Sequence, residues 1–123
     1  MIIDHLELST GQFDDMCAFY DAVLAPLDVI RIVAGSPAGY GRGERLPFWI
    51  RLGDPITRYV HYAFACLTRA QVHHAFDAAR ALGAAGLREP KLHPHIDPNY
   101  YAAYAYDPDG HLIEFVCRSE AER

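Results

Sequence analysis

Cysteine is scarce in this chain. Cys17, Cys66 and Cys117 are the only three, and no two of them form a CxxC pair. An odd, scattered set excludes a disulfide framework and a cysteine zinc site. Each lies in an apolar pattern, as small buried hydrophobes do. Basic runs are missing too: 16 acidic residues outnumber 11 basic ones, for a net charge of −5. That balance argues against nucleic acid or an anionic membrane as a partner. No apolar run is long enough to span a bilayer. The start, Met1-Ile2-Ile3-Asp4-His5, lacks the basic and apolar segments of a signal peptide. These absences leave a cytoplasmic protein as the expectation. A length of 123 residues suits a single domain, residues 1–123, that buries roughly two-thirds of its unfolded surface.

What is present is a repeat. At an offset of 56 residues, His5 falls on His61, Leu8 on Phe64, Tyr20 on Phe76, Asp21 on Asp77 and Ala22 on Ala78. In both copies a histidine opens an alternating strand that runs into an amphipathic helix. Residues 2–9 alternate, with His5, Glu7 and Ser9 on one face and Leu6 and Leu8 on the other. Phe13, Met16, Cys17, Tyr20, Val23, Leu24 and Leu27 then recur at helical spacing, up to Pro26. Residues 28–34 and 46–52 fit strands, and the glycine-rich stretch 35–43 fits a loop or loose hairpin. After the boundary at Gly53-Asp54-Pro55 a second strand starts at His61. Thr68-Arg69-Ala70-Gln71 is a capping box for a helix ending near Gly83. Strands follow near 86–92, at 100–106 and at 111–117, the last two joined by the turn Asp107-Pro108-Asp109-Gly110. The expected fold is α+β: two tandem βαβββ units, 1–54 and 57–120, forming a cupped mixed sheet with helices on its outer face.

The face left free of helices carries His5, Glu7, Ser9, His61, Ala63, Leu112, Glu114 and Val116. Polar groups there suit the lining of a cup better than a core. A lone strand histidine is commonly structural, but two at equivalent positions, joined by Glu114 on the same face, form a different pattern. Two imidazoles and a carboxylate are a facial triad with open coordination positions, suited to divalent Fe, Mn, Zn or Ni. His5, His61 and Glu114 are therefore the candidate metal ligands.

Four segments carry a family likeness: Ile3-Asp4-His5-Leu6, Ala18-Phe19-Tyr20-Asp21, His61-Tyr62-Ala63-Phe64 and Asp107-Pro108-Asp109-Gly110-His111-Leu112-Ile113-Glu114. They span nearly the whole chain, and through them it resembles the vicinal oxygen chelate superfamily. That group includes glyoxalase I, extradiol dioxygenases, fosfomycin-resistance thiol transferases and bleomycin-binding proteins. The tail His93-Pro94-His95 through Tyr104 is similar to a subgroup of small glyoxalase-like proteins. The resemblance implies metal ligands at His5, His61 and Glu114. It also implies a homodimer in which the first histidine can come from one chain and the other ligands from its partner. Glyoxalase I carries a fourth, carboxylate or amide, ligand on the last strand of the first unit. Strand counting places Arg51 there, and arginine is always charged and only donates. The pattern thus departs from ordinary glyoxalase I.

Further candidates surround the triad. Arg51 is suited to bind a substrate carboxylate or phosphate, or to pair internally with Glu7. Trp49 fits an apolar wall. Tyr104 falls where related transferases place a substrate-contacting tyrosine, and a phenol can donate to a developing oxyanion. His95 joins Arg51 and Trp49 as a candidate substrate-binding residue, and proton transfer would fall to Tyr104, Glu7, His95 or bound water. His93 and His95 share a face if extended, yet Pro94 and Pro98 suit a loop equally well. His73, His74 and His111 are expected at the surface, and Tyr100, Tyr101 and Tyr106 in packing or a dimer contact. The leading expectation is a metal-dependent enzyme acting on a small oxygenated substrate. The alternative is a non-catalytic protein that sequesters a small molecule, as bleomycin-binding relatives do.

Overall fold

The computed structural model describes residues 2–119. Each half of the chain forms a four-stranded mixed sheet with one helix. The first unit comprises β1 (Leu6–Thr10), α1 (Phe13–Leu24), a 3-10 turn (Ala25–Leu27), β2 (Ile30–Val33), β3 (Ala38–Arg42) and β4 (Arg45–Leu52). The second comprises β5 (His61–Ala65), α2 (Arg69–Ala81), β6 (Arg88–Leu92), β7 (Tyr101–Tyr106) and β8 (Leu112–Cys117). Strand orders are β1-β4-β3-β2 and β5-β8-β7-β6. The first strand of each unit runs parallel to the last, and the other neighbours are antiparallel. The βαβββ repeat expected from the 56-residue offset is thus the architecture. The glycine-rich stretch 35–43 is more regular than its composition suggests, since it holds β3. Gly39 is needed there because the Trp49 ring lies across it, and a Cβ would fall 2.7 Å from that ring. Among the described residues, no helix is long and apolar enough to cross a membrane.

The helices form where the sequence signals place them. The Thr68 hydroxyl accepts from the Gln71 amide at 3.1 Å, while the Gln71 side chain accepts from the Leu67 amide at 2.7 Å. The capping box therefore closes one residue earlier on its return arm. In α1, Phe19 and Tyr20 enter the core, and Asp21 anchors the unit's outer strands. Its carboxylate accepts from the Tyr40 hydroxyl at 2.9 Å and from both Nε and a terminal nitrogen of Arg31.

One core joins the two units. Leu8, Tyr40, Phe48 and Ile50 of the first sheet and Ala103, Ile113, Phe115 and Cys117 of the second share it with both helices. Phe48 bridges the halves, 5.5 Å from the Phe64 ring and 5.9 Å from Tyr62. Below them the Tyr20 hydroxyl donates to Asp107 at 2.6 Å and also meets the Tyr62 hydroxyl. Because the helix-bearing faces share a core, the opposite faces of the two sheets look outward on separate sides. The outward face of the second sheet carries Glu114, and that of the first carries Glu7.

Candidate functional site

Glu114 sits in the middle of β8, and its register partners explain its surroundings. It lies opposite Ala63 on β5 and opposite Tyr104 on β7. On its face of the sheet Ala102, Tyr104, Leu112 and Val116 form an apolar cluster round it. The Glu114 side chain is only 4% exposed, and His61 approaches its Oε1 at 3.0 Å. The Tyr100 hydroxyl donates to Oε2. Both carboxylate oxygens are therefore held, one by an imidazole and one by a phenol. Burial, followed by the hydrogen bond to Glu114, pushes the Tyr100 phenol up, so it remains protonated and donates. The Tyr104 phenol is likewise raised by burial and by Glu114. The ring of Tyr104 lies 6.3 Å from His61.

The first histidine is elsewhere. His5 precedes β1 on the outer face of the other sheet, 62% exposed, with Asp4 Oδ1 2.8 Å from its Nδ1. That hydrogen bond holds the Asp4 carboxyl below its usual range. His5 lines a cavity of about 510 Å³ with Asp4, Glu7, Glu44, Arg45 and Trp49. Among the described residues, no three His, Cys, Asp or Glu side chains converge to hold a metal. The chain brings His61 and Glu114 together and leaves His5 apart from them. Two imidazoles and a carboxylate fit a divalent transition metal, but this donor set closes only if His5 comes from a second copy.

The register also revises the broken position of the repeat. Glu7 pairs with Trp49 and Ser9 pairs with Arg51. Since Glu7 corresponds to Ala63, the counterpart of Glu114 is Trp49, not Arg51. The matching position thus lies two residues before Arg51. Arg51 is instead an internal clamp: it donates to Ser9 Oγ at 2.8 Å and pairs with Glu7 at 3.6 Å.

Of the remaining histidines, His73 and His74 are exposed, and His73 meets the Tyr101 hydroxyl at 2.6 Å. His111, expected at the surface, is fully buried. Its Nδ1 accepts from the Val60 amide at 3.0 Å, so its proton sits on Nε2. His93, rather than His95, turns toward the site. Its ring packs edge-on against Tyr100 and Tyr104, with centroids 6.1 and 5.8 Å away. His95 lies behind it, exposed, 5.8 Å from His93. A turn closed by the Ile96 amide donating to the His93 carbonyl at 3.0 Å breaks the alternation that would have aligned the two. Tyr100 also escaped the sequence reading as a site residue. Its only signal was its place on the Glu114 face at the entry to β7.

Residues 2–115 match the family model described as the glyoxalase/bleomycin resistance protein/dioxygenase superfamily. No curated protein matches the sequence. Among solved structures, the chain is similar to a glyoxalase/bleomycin resistance protein from Albidiferax ferrireducens. Identity is 26%, the TM-score is 0.83, and the match covers 96% of this chain and 100% of the other. It shares its fold with the fosfomycin resistance protein FosX of Listeria monocytogenes, at 19% identity, TM-score 0.68, and 94% and 92% coverage. It also shares it with a lactoylglutathione lyase from Agrobacterium tumefaciens, at 20% identity, TM-score 0.62, and 92% and 90% coverage. The family match and the paired βαβββ units agree, and the chain belongs to the glyoxalase/bleomycin resistance protein/dioxygenase superfamily.

Proposed function

We propose that two copies of this chain form a metal site from His61 and Glu114 of one protomer and His5 of the other, and that the site acts on a small oxygenated substrate. The observation that carries this reading is the buried Glu114 carboxylate, aligned with His61 at 3.0 Å beside an apolar cluster on an outward face. A carboxylate is costly to bury unless it is paired or coordinates a metal. β1 and β5 are edge strands, each paired with one strand only; beyond the stretch of β1 that Thr57 covers at Ser9, these edges support a second copy approaching along those strands.

A divalent metal, one of Fe, Mn, Zn or Ni, would supply Lewis acidity toward the substrate's oxygens. The chain's own groups then divide the rest of the work. Tyr100 fixes the orientation of Glu114. Tyr104, across β7, is placed to donate its phenolic proton to a substrate oxygen. Glu7, restrained by Arg51, faces the His5 cavity and is the carboxylate available to move a proton. Trp49 supplies the apolar wall of that cavity. The reaction class lies among the lyase, isomerase, dioxygenase and thiol-transferase types.

The test is metal content of protein purified without chelators. Wild type should carry one metal per protomer, and His61→Ala, Glu114→Ala and His5→Ala should each lose it. Metal content unaffected by all three contradicts the reading. A second reading, non-catalytic sequestration of a small molecule, is favoured by one observation: His61 and Tyr100 already satisfy both Glu114 oxygens. Metal-independent ligand binding by His61→Ala would support it.

A further inference from the structure

Strand β6 holds an irregularity that changes which side chains lie on the Glu114 face of the second sheet. Arg88 pairs with Tyr104 and Lys91 pairs with Ala102, so three steps along β6 match two along β7. In a regular strand, residues three apart point to opposite faces. Here the extra residue, next to Pro90, forms a bulge, and Arg88 and Lys91 both emerge on the Glu114 face. His93, whose amide donates to the Tyr100 carbonyl at 2.8 Å, continues the row on that face.

Several observations bear on what this row could bind. Arg88, Glu89, Pro90, Lys91 and His93 line a cavity of about 500 Å³. The Arg88 guanidinium stacks over the Tyr104 ring at 4.4 Å from its centroid, which preorganises it while leaving its N–H fork available. The cation over Tyr100, Arg118, is by contrast committed to Asp97 at 3.8 Å. No ion pair occupies Arg88 or Lys91 among the described residues. Glu89 is the one acidic group on the cavity wall. His93 Nε2 is shielded from solvent and has no hydrogen-bond partner. Burial, then Lys91, His95 and Arg88, hold the His93 imidazole toward its neutral form against the opposing pull of Glu114; the neutral ring donates from one nitrogen only.

We infer that Arg88, Lys91 and His93 form an oxyanion subsite beside the His61–Glu114 pair, so that the substrate carries a carboxylate or a phosphate-like group about one ring's width from its reacting oxygens. The subsite rests on the reading of this face as the substrate face, and not on which metal occupies it. Tyr104 is the divider: its ring lies 6.3 Å from that of His61, and its face carries Arg88.

The experiment is a titration of the full-length protein with inorganic phosphate and, separately, with acetate, followed by ¹⁵N–¹H spectra that include the arginine side chains. Binding should shift the Arg88, Lys91 and His93 signals. Arg88→Gln should weaken it at least about fivefold and Lys91→Gln about threefold, by loss of charge-assisted contacts. Arg80→Gln, at an arginine paired with Asp77 on α2, should leave it unchanged. Phosphate alone shifting the signals assigns a phosphate-like group, and acetate alone assigns a carboxylate. Unchanged affinity in Arg88→Gln and Lys91→Gln, or no shift with either anion, overturns the subsite. Repeating the titration in His61→Ala separates the two readings. An intact Arg88-dependent response there, with wild-type protein failing to bind metal, sinks the metal site and keeps the subsite. Metal binding in wild type without that response does the reverse.

Discussion

Trp49 and Glu114 occupy the same position in the two units. Trp49 lies opposite Glu7 on β1, and Glu114 lies opposite Ala63 on β5. The two sheets therefore offer one carboxylate and one indole where a symmetric pair of ligands could stand. The indole is fixed by its Nε1 donating to the Leu46 carbonyl at 2.7 Å and by the flat seat that Gly39 provides.

Trp49→Glu should therefore add a fourth ligand to the shared site and tighten metal binding about tenfold. Arg51→Glu should not, because it sits two residues further along and would face Glu7. Chelator competition measures both. Tighter binding in Arg51→Glu alone would contradict the register assignment.

Tyr100→Phe removes the donor to Glu114 Oε2 and keeps the ring. Loss of such an outer contact weakens metal affinity by roughly 10- to 100-fold. Tyr104→Phe, which leaves the Tyr100 bond intact, should change metal affinity little and lower turnover instead. Competition with a chromophoric chelator and steady-state rates separate the two effects. Equal losses of affinity would show that Tyr100 has no special hold on Glu114.

Asp107 gives the fold a pH dependence of a definite sign. Burial raises its carboxyl above the usual value of 3.8, so the folded state binds its proton more tightly than the unfolded state does. Its contribution is complete below the unfolded value and is lost as pH rises through the folded one. Asp107→Asn should abolish that decline in urea midpoints. It should also cost about 1–3 kcal/mol, because the amide leaves the Tyr20 and Tyr62 hydroxyls poorly paired. A decline with rising pH that persists in the variant would remove Asp107 as its source.

The three thiols should be unreactive in the native protein. All are buried, and burial raises Cys17 and pushes Cys66 up to about 12. A disulfide reagent at pH 8 should label none within minutes and all three in denaturant. Rapid native labelling would show that the core opens on that timescale.

The repeat, the helices and the DPDG turn were legible because each rests on local rules: alternation, helical spacing, caps and turn residues. Asp107 shows why that turn is so clear, since its Oδ1 accepts from the amides of Asp109 and His111 at 2.9 Å. The His61–Glu114 pairing followed from strand parity. Misplacement of the broken position at Arg51 came from counting along β4 without its parallel register to β1, which no local signal fixes. β3 hid among glycines, of which Gly39 is required by the Trp49 ring and Gly41 by the Arg45 backbone. The row of Arg88, Lys91 and His93 depends on one bulge. The split between His93 and His95 depends on one turn. The separation of His5 from its partners arises because a single core takes both helix-bearing faces, a tertiary outcome that strand patterning does not contain.

The most direct test of the shared site is a mixed dimer. His5→Ala keeps His61 and Glu114, and Glu114→Ala keeps His5. Each variant alone should bind no metal. Unfolded together and refolded as a mixture, the heterodimer should regain one metal site per dimer, read by metal analysis or by the visible spectrum of Co(II). No recovery in a mixture shown to contain heterodimer, or full binding by either variant alone, would contradict a site built from two copies.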